Sequence, residues 1–429
     1  MQESTQKFIN KKILIYGLGK SGISSFKFLK KKNLCFIYDD NFNNYSSKIE
    51  NYVVDKKKII AIKVDFIVLS PGIDIRKCAL SKYLQKNKKK IITDFDIFYN
   101  SFPFTKKITI TGTNGKSTTS KLLFDILKKH NIDARLVGNI GNPILSEKKI
   151  EDKTVFVIEA SSYQLEYSKL FKTDYAVILN LSPDHIERHL NFKNYIKAKF
   201  KLVKNQNKNS IALLENKNNY LKKLIKKNKI QSKINFINNK KNLNKLVTNK
   251  YFTDPSSIEN LNFIFKISNL LGLDKFKVIK VINKFKPLKF RKQIIYNNKK
   301  YLIINDSKST SFSSSVSLLQ KYKNVYWILG GLSKKNDKFL LEKKFHKNIN
   351  AFIYGKDKLI FKKKLINKIN LILSDKLKDS IKLVFKNTHK NHNKRKVILF
   401  SPAAASFDQF KNFEERGLYF NKLIKKFIK

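Results

Sequence analysis

Cysteine is almost absent. Cys35 and Cys78 are the only two thiols in 429 residues, which excludes a disulfide framework and a cysteine-built zinc site. Acidic residues are also scarce: 32 Asp and Glu face 90 Lys and Arg, a formal charge of +58. Arginine is scarcer still. Six occur, at positions 76, 135, 188, 291, 395 and 416, so 84 of the basic residues are lysines. Nucleic-acid readers lean on the arginine fork for phosphates and guanine edges, whereas these lysines are scattered through every segment beside abundant Asn, Ile and Phe. Coding bias accounts for that better than a selected surface, so no specific nucleic-acid partner is expected. Long hydrophobic runs are missing too. Nothing approaches the ~18 consecutive apolar residues of a membrane span, and Met1–Lys12 lacks the apolar stretch of a signal peptide. A soluble, cytoplasmic chain without membrane insertion is expected. An apolar share of 42% and an aromatic share of 12% exclude a disordered polycation.

Glycine is the informative shortage. Thirteen remain, about 3% against a usual ~7%, so a cluster of them marks backbone that needs them. Gly17, Gly19 and Gly22 stand together, as do Gly112 with Gly115, Gly138 with Gly141, and Gly330 with Gly331. Gly72 follows Ser70-Pro71, Gly417 ends a C-terminal motif, and Gly272 and Gly355 stand outside any motif.

Short β-branched and apolar runs alternate with amphipathic segments. The pattern predicts strands at 12–16, 34–38, 66–70, 107–111, 154–159, 175–180, 300–305, 325–330 and 397–401, with helices over 22–32 and 116–130. Such alternation means α/β units with parallel sheets and ligands at the strand C-termini. Three blocks are expected, at 1–102, 103–288 and 289–429. The Lys/Asn-rich stretch 202–250 reads as a solvated helix and loop.

The strongest motif is Ile108-Thr-Ile-Thr-Gly112-Thr113-Asn114-Gly115-Lys116-Ser117-Thr118. A strand, a glycine turn and a helix start aim backbone N–H groups and the helix dipole at phosphates. Lys116 would reach the β/γ-phosphates and Ser117 a Mg²⁺ ion. The pattern is a shortened P-loop, with Ile110 where the full form has glycine. Gly17-Leu-Gly19-Lys-Ser21-Gly22, followed by Asp39 and Asp40 at the end of the next strand, fits a second phosphate-bearing ligand; the alternative is a tight strand–helix turn alone. Glu159 ends a strand beside the P-loop, where a Mg²⁺-anchoring carboxylate is expected. Asn180-Leu-Ser-Pro-Asp184-His185 and Lys199 follow. Taken alone, His185 is more often structural than a ligand. The last block supplies Asn305-Asp306-Ser307-Lys308-Ser309-Thr310, Gly330-Gly331-Leu-Ser-Lys334 and Ser401-Pro-Ala-Ala-Ala-Ser406-Phe-Asp-Gln-Phe-Lys-Asn-Phe413-Glu-Glu-Arg416-Gly417.

Together these segments resemble the Mur ligase family, ATP-dependent amide ligases that build the peptidoglycan stem peptide. The last motif is similar to that of the branch adding D-glutamate to UDP-N-acetylmuramoyl-L-alanine. The resemblance implies an α/β chain of three domains: a Rossmann-like N-terminal domain for the UDP-substrate, a central P-loop ATPase-type parallel-sheet domain, and a Rossmann-like C-terminal domain for the amino acid. It implies ATP on Gly112–Thr118, with one Mg²⁺ held by Ser117 and Glu159 and a second by His185 and a carbamylated Lys199. Ser21, Gly22 and Asp39 would meet the uridine diphosphate, and Asn139 and Ser161 the muramoyl-alanine. Lys308, Thr310, Lys334, Ser406 and Phe413 would form the D-glutamate pocket, while Asn260, Arg291 and Asp306 reach ATP. A monomer is expected. Two motifs depart from the family pattern. Its His-Asn pair is replaced within Pro255-Ser-Ser257-Ile-Glu-Asn260, and its His-Arg-Phe-Glu reads Phe290-Arg-Lys-Gln293.

Overall fold

A computed structural model describes residues 7–41, 47–238, 246–334, 337–388 and 395–428. Three sheets organise it. The first joins β1 (Lys12–Tyr16), β2 (Leu34–Tyr38), β3 (Phe66–Leu69) and β4 (Ile91–Ile92) in the order β2-β1-β3-β4. The second joins β5 (Lys106–Thr111), β6 (Ala134–Gly138), β7 (Val155–Glu159), β8 (Tyr175–Ile178), β9 (Ile211–Glu215) and β10 (Lys233–Ile237) in the order β10-β9-β8-β5-β7-β6. The third joins β11 (Gln293–Asn297), β12 (Tyr301–Asn305), β13 (Val325–Gly330), β14 (Ile349–Tyr354), β15 (Asn370–Leu373) and β16 (Lys396–Phe400) in the order β11-β12-β16-β13-β14-β15. Every pairing is parallel except β11 with β12.

The central strands are buried on both faces, as parallel sheets covered by helices require. Strands β7, β12, β13 and β16 are buried along their whole length. Where a side chain on such a strand is polar, it finds a partner. Thr109 donates to Thr173 Oγ1 at 2.8 Å and Thr111 to the Ala160 carbonyl at 2.7 Å. In the third sheet Trp327, Leu329 and Leu399 pack one core while Tyr326, Ile328 and Phe400 pack the other, the period-two alternation of a strand.

The expected strands form within two residues of their expected bounds, the one expected at 175–180 ending at Ile178. Stretch 202–250 corrects the reading of a helix and loop: it contributes two sheet strands, β9 and β10, around the helix Asn219–Lys227. Ala212, Leu213 and Leu214 of β9 are buried, and that apolar run outweighs the surrounding lysines.

The chain divides into two compact units. One comprises Met1–Leu181, Lys193–Lys240 and Asn262–Val281 and holds the first two sheets; the other comprises Ser182–Phe192, Lys241–Leu261 and Ile282–Lys429 and holds the third.

Candidate active site

The P-loop geometry follows from the glycines. Gly115 has φ +84° and caps the helix Lys116–Lys129 in the left-handed region. Gly112, at φ +149°, lies against Leu179 and Asn180, where an added Cβ would come 3.1 Å from Leu179 Cβ. The loop is fastened to the end of β8. Thr113 N–H donates to the Asn180 carbonyl at 2.8 Å and Asn114 N–H to Asn180 Oδ1 at 2.8 Å, while Asn180 Nδ2 returns a bond to the Asn114 carbonyl at 3.0 Å. Lys116 Nζ donates back to the Gly112 and Thr113 carbonyls at 3.0 and 2.8 Å. Ser117 and Thr118 are buried in the first helical turn.

Lys199, on the helix Phe192–Lys204, is 1% exposed. Its Nζ donates to the Gly112 carbonyl at 2.8 Å and to Thr111 Oγ1 at 3.2 Å, and lies 4.7 Å from the centre of the Tyr195 ring. The Tyr195 hydroxyl is 3.0 Å from Thr113 Oγ1. Two residues one helical turn apart thus meet the same loop.

Glu159 closes β7, paired in register with Ile110 of β5. It is 1% exposed. Asn139 Nδ2 donates to Glu159 Oε1 at 2.7 Å and Asn139 N–H to the Glu159 carbonyl at 2.9 Å. Gly138 permits this approach, because a Cβ there would meet that carbonyl at 2.3 Å. Glu159 Oε2 is buried with no hydrogen-bond partner. A buried carboxylate oxygen of that kind is a fit for a hard cation. Ser161 is more self-contained than expected: it caps the helix Ser162–Glu166 in a reciprocal pair with Gln164.

In the first sheet, Gly22 lets its helix touch the preceding loop, since a Cβ would lie 1.8 Å from the Gly17 carbonyl. Asp39 directly follows β2, but its oxygens accept Leu18 N–H at 2.6 Å and Asn41 N–H at 3.0 Å, so it shapes the loop itself. Ser21 donates to Asp94, whose carboxyl burial pushes up to about 6 against the bonds from Phe95 N–H and Ser21.

In the second unit, His185 has φ +52°, with Nε2 3.4 Å from Asp184 and Nδ1 3.5 Å from Glu187. The His185 bond holds the Glu187 carboxyl below its usual range, against the effect of burial. Asp184 also pairs with Lys334. Lys308 Nζ sits 4.0 Å above the Phe413 ring, which brings two expected pocket residues together. Ser406 is buried and Thr310 half-buried. Asp306 accepts Lys292 N–H at 3.0 Å and Ser401 Oγ at 2.9 Å, and burial pushes its carboxyl up to about 6. Arg291 is half-buried between Phe290 and Lys292, both at positive φ. Asn260, on the helix Pro255–Leu270, is buried.

The two departures from the family pattern meet each other. Lys292 Nζ bonds Asp254 at 2.8 Å, Ser256 Oγ at 3.0 Å and Ser257 Oγ at 3.2 Å. Burial alone raises the Asp254 carboxyl, but the Lys292 charge and bonds from Lys292, Ser257 and Ser256 hold it down to about 2.

Sequence reasoning gave Asn180, Tyr195 and Asp184 no role. Their signals were present: an asparagine just past a strand, a tyrosine one turn before Lys199, and an aspartate beside His185. Among the described residues, no group of three or more His, Cys, Asp or Glu is placed to hold a metal. No helix among them is long and apolar enough to cross a membrane.

The chain is similar to known proteins along most of its length. Residues 110–281 match the family model "Mur ligase middle domain" and residues 11–92 the model "Mur ligase MurD-like, N-terminal domain". A protein of Rickettsia bellii named UDP-N-acetylmuramoylalanine–D-glutamate ligase is 33% identical, covering 95% of this chain and 96% of its own. One of the same name from Francisella tularensis subsp. novicida is also 33% identical, covering 96% and 95%. Among solved structures, MurF ligase of Thermotoga maritima in complex with ADP superposes with a TM-score of 0.58 at 15% identity, over 99% of each chain; it is similar in fold.

Proposed function

The chain belongs to the Mur ligase family, and we propose that it joins D-glutamate to UDP-N-acetylmuramoyl-L-alanine at the expense of ATP, a cytoplasmic step of peptidoglycan precursor synthesis. The end-to-end likeness to ligases of that name carries the reading. Three domains at 1–102, 103–288 and 289–429, acting as a monomer, complete it.

A carboxylate is a poor electrophile, so it must first gain a leaving group. An oxygen of the alanyl carboxylate attacks the γ-phosphorus of ATP, the bond to the β-phosphate oxygen breaks, and ADP and an acyl phosphate result. The D-glutamate amine then attacks the acyl carbon. Collapse of the tetrahedral intermediate expels phosphate, and the nitrogen loses a proton as the amide forms. Gly112–Thr118 cradles the phosphates through backbone N–H groups at a helix N-terminus, and Lys116, released from the Gly112 and Thr113 carbonyls, follows the transferring charge. Ser117 and Glu159 would hold one Mg²⁺; His185 and Lys199, as its carbamate, would hold a second. Bound there, Mg²⁺ supplies Lewis-acid neutralisation of phosphoryl charge. The unsatisfied Glu159 oxygen supports the first site. Burial of the Lys199 amine against the loop supports a role for it there.

Ser21, Gly22 and Asp39 form the loop for the uridine diphosphate, and Asn139 and Ser161 face the muramoyl-alanine. Lys308, Thr310, Lys334, Ser406 and Phe413 orient D-glutamate, a positioning role. Asn260, Arg291 and Asp306 serve the nucleotide. The test is mass detection of UDP-MurNAc-L-Ala-D-Glu from purified protein, ATP, Mg²⁺ and both substrates. Turnover with another amino acid but not D-glutamate overturns the specificity.

A further inference from the structure

Arg416 is fully buried in the first turns of the helix Phe413–Phe427. Its Nε donates to Ser307 Oγ at 3.1 Å, and Nη2 donates to the Ser307 carbonyl at 2.7 Å and the Ala404 carbonyl at 3.0 Å. All three acceptors are neutral. The buried Tyr354 hydroxyl borders the guanidinium, and the Asp408 and Asp306 carboxylates act on its charge from further off, against the burial that draws its pKa down. Burying a guanidinium on such terms is costly, and apolar packing fills the same volume at least as well. Volume therefore does not explain this side chain; what its fork ties together does.

The loops at the strand ends form two pairs. Ser307 Oγ donates to the Phe413 carbonyl at 2.8 Å, which joins loop 305–310 to the start of the last helix. Leu332 and Ala405 exchange backbone bonds at 3.0 and 2.9 Å, which joins loop 330–334 to loop 401–406. Arg416 bridges the pairs, with bonds to Ser307 on one side and Ala404 on the other. Gly331 makes the room: a Cβ there would lie 2.3 Å from the Ala405 carbonyl and 3.4 Å from Arg416 Nη1. Each of these four segments carries at least one residue assigned to the acidic amino acid: Lys308 with Thr310, Lys334, Ser406 and Phe413.

We propose that Arg416 is the positioning residue of the acidic amino-acid subsite, fixing the spacing of Lys308 and Phe413 from Ser406 and Lys334 without touching the substrate. This rests on the assignment of those four residues to D-glutamate. The experiment is steady-state kinetics of Arg416→Met, with KM measured separately for D-glutamate, ATP and the UDP-substrate. The expected result is a D-glutamate KM raised about tenfold or more, with the other two within about twofold, and partial recovery in Arg416→Lys. Three KM values moving together, or none moving, overturns the proposal. Should Arg416→Met fail to fold, Ser307→Ala removes the Nε acceptor together with the bond to the Phe413 carbonyl; it is expected to raise the D-glutamate KM about threefold, and an unchanged KM overturns the proposal. If the wild-type enzyme uses a different acidic amino acid, the same split read with that substrate supports Arg416 while the D-glutamate assignment falls. If no amino acid is turned over, both fall.

Discussion

Asp96 offers the largest effect for the smallest change. It is fully buried in the helix Asp94–Ser101. One oxygen accepts Thr93 N–H at 2.9 Å and the Thr93 hydroxyl at 3.1 Å. The other accepts the Ser168 hydroxyl at 2.9 Å and the N–H groups of Lys169, Leu170 and Phe171 at 2.9, 2.7 and 3.0 Å. The carboxylate thus staples the helix leaving the first sheet to the segment entering β8, beside the Phe95–Phe171 and Phe98–Phe156 ring contacts. Asp96→Asn keeps the shape and puts an NH₂ where one oxygen was. In its better orientation it still accepts the four bonds from 168–171, now without charge assistance, a loss of about 0.5–1 kcal/mol each. Thr93 N–H then faces a donor, which costs about 1–3 kcal/mol more. The neutral amide avoids part of the desolvation of a buried charge, several kcal/mol, so the net loss is about 3 kcal/mol. That lowers the first thermal transition by about 6–12 °C, read by differential scanning calorimetry. A shift below about 2 °C refutes the reasoning, because it means the six bonds are worth no more than those the unfolded chain makes to water.

Other perturbations isolate single parts. Asn139→Ala frees Glu159 Oε1 from its bond and is expected to raise the Mg²⁺ concentration for half-maximal activity about tenfold, measured by metal titration; an unchanged titration removes Asn139 from that role. Lys116→Ala is expected to cut ligation more than a hundredfold, and normal turnover means that the P-loop assignment is wrong. Lys199→Ala is expected to lose activity to a similar degree, and a bicarbonate-depleted wild type to lose part of it; full activity in Lys199→Ala sinks the carbamate. Asp254 is held down to about 2 from an ordinary 3.8, so its pairing stabilises the fold above about pH 4. About 2 kcal/mol should vanish as pH falls from 4 towards 2, and Asp254→Asn should flatten that limb of the urea-midpoint profile.

Much of the architecture was legible because the composition is so skewed. With few glycines to spare, Gly112, Gly115, Gly138 and Gly331 each mark a close approach or a left-handed turn, and strand ends could be read from them. Gly355 looked unattached, yet it belongs with them: at φ +88° a Cβ there would meet Asp408 Oδ2 at 2.5 Å and Gly331 N at 3.0 Å. Its relevance lies in β13 and β14 being neighbours, a tertiary fact. The bonds of Asp96 to residues 72–75 positions away and those of Lys292 to Ser256 and Ser257 are invisible for the same reason. Lysine shows the limit most sharply. Identity means little when 84 are present, and even a motif neighbour only nominates a candidate. Burial narrows the field: among the described residues, Lys107, Lys199 and Lys396 are each 1% exposed. Lys107 donates to the Pro103 and Thr105 carbonyls of the turn preceding its own strand at 3.2 and 2.6 Å, and burial draws its pKa down to about 8, with Asp174 opposing. Lys199 instead crosses from its own helix to the carbonyl of Gly112. That contact with the turn at Gly112, rather than identity or burial alone, is what singles out Lys199.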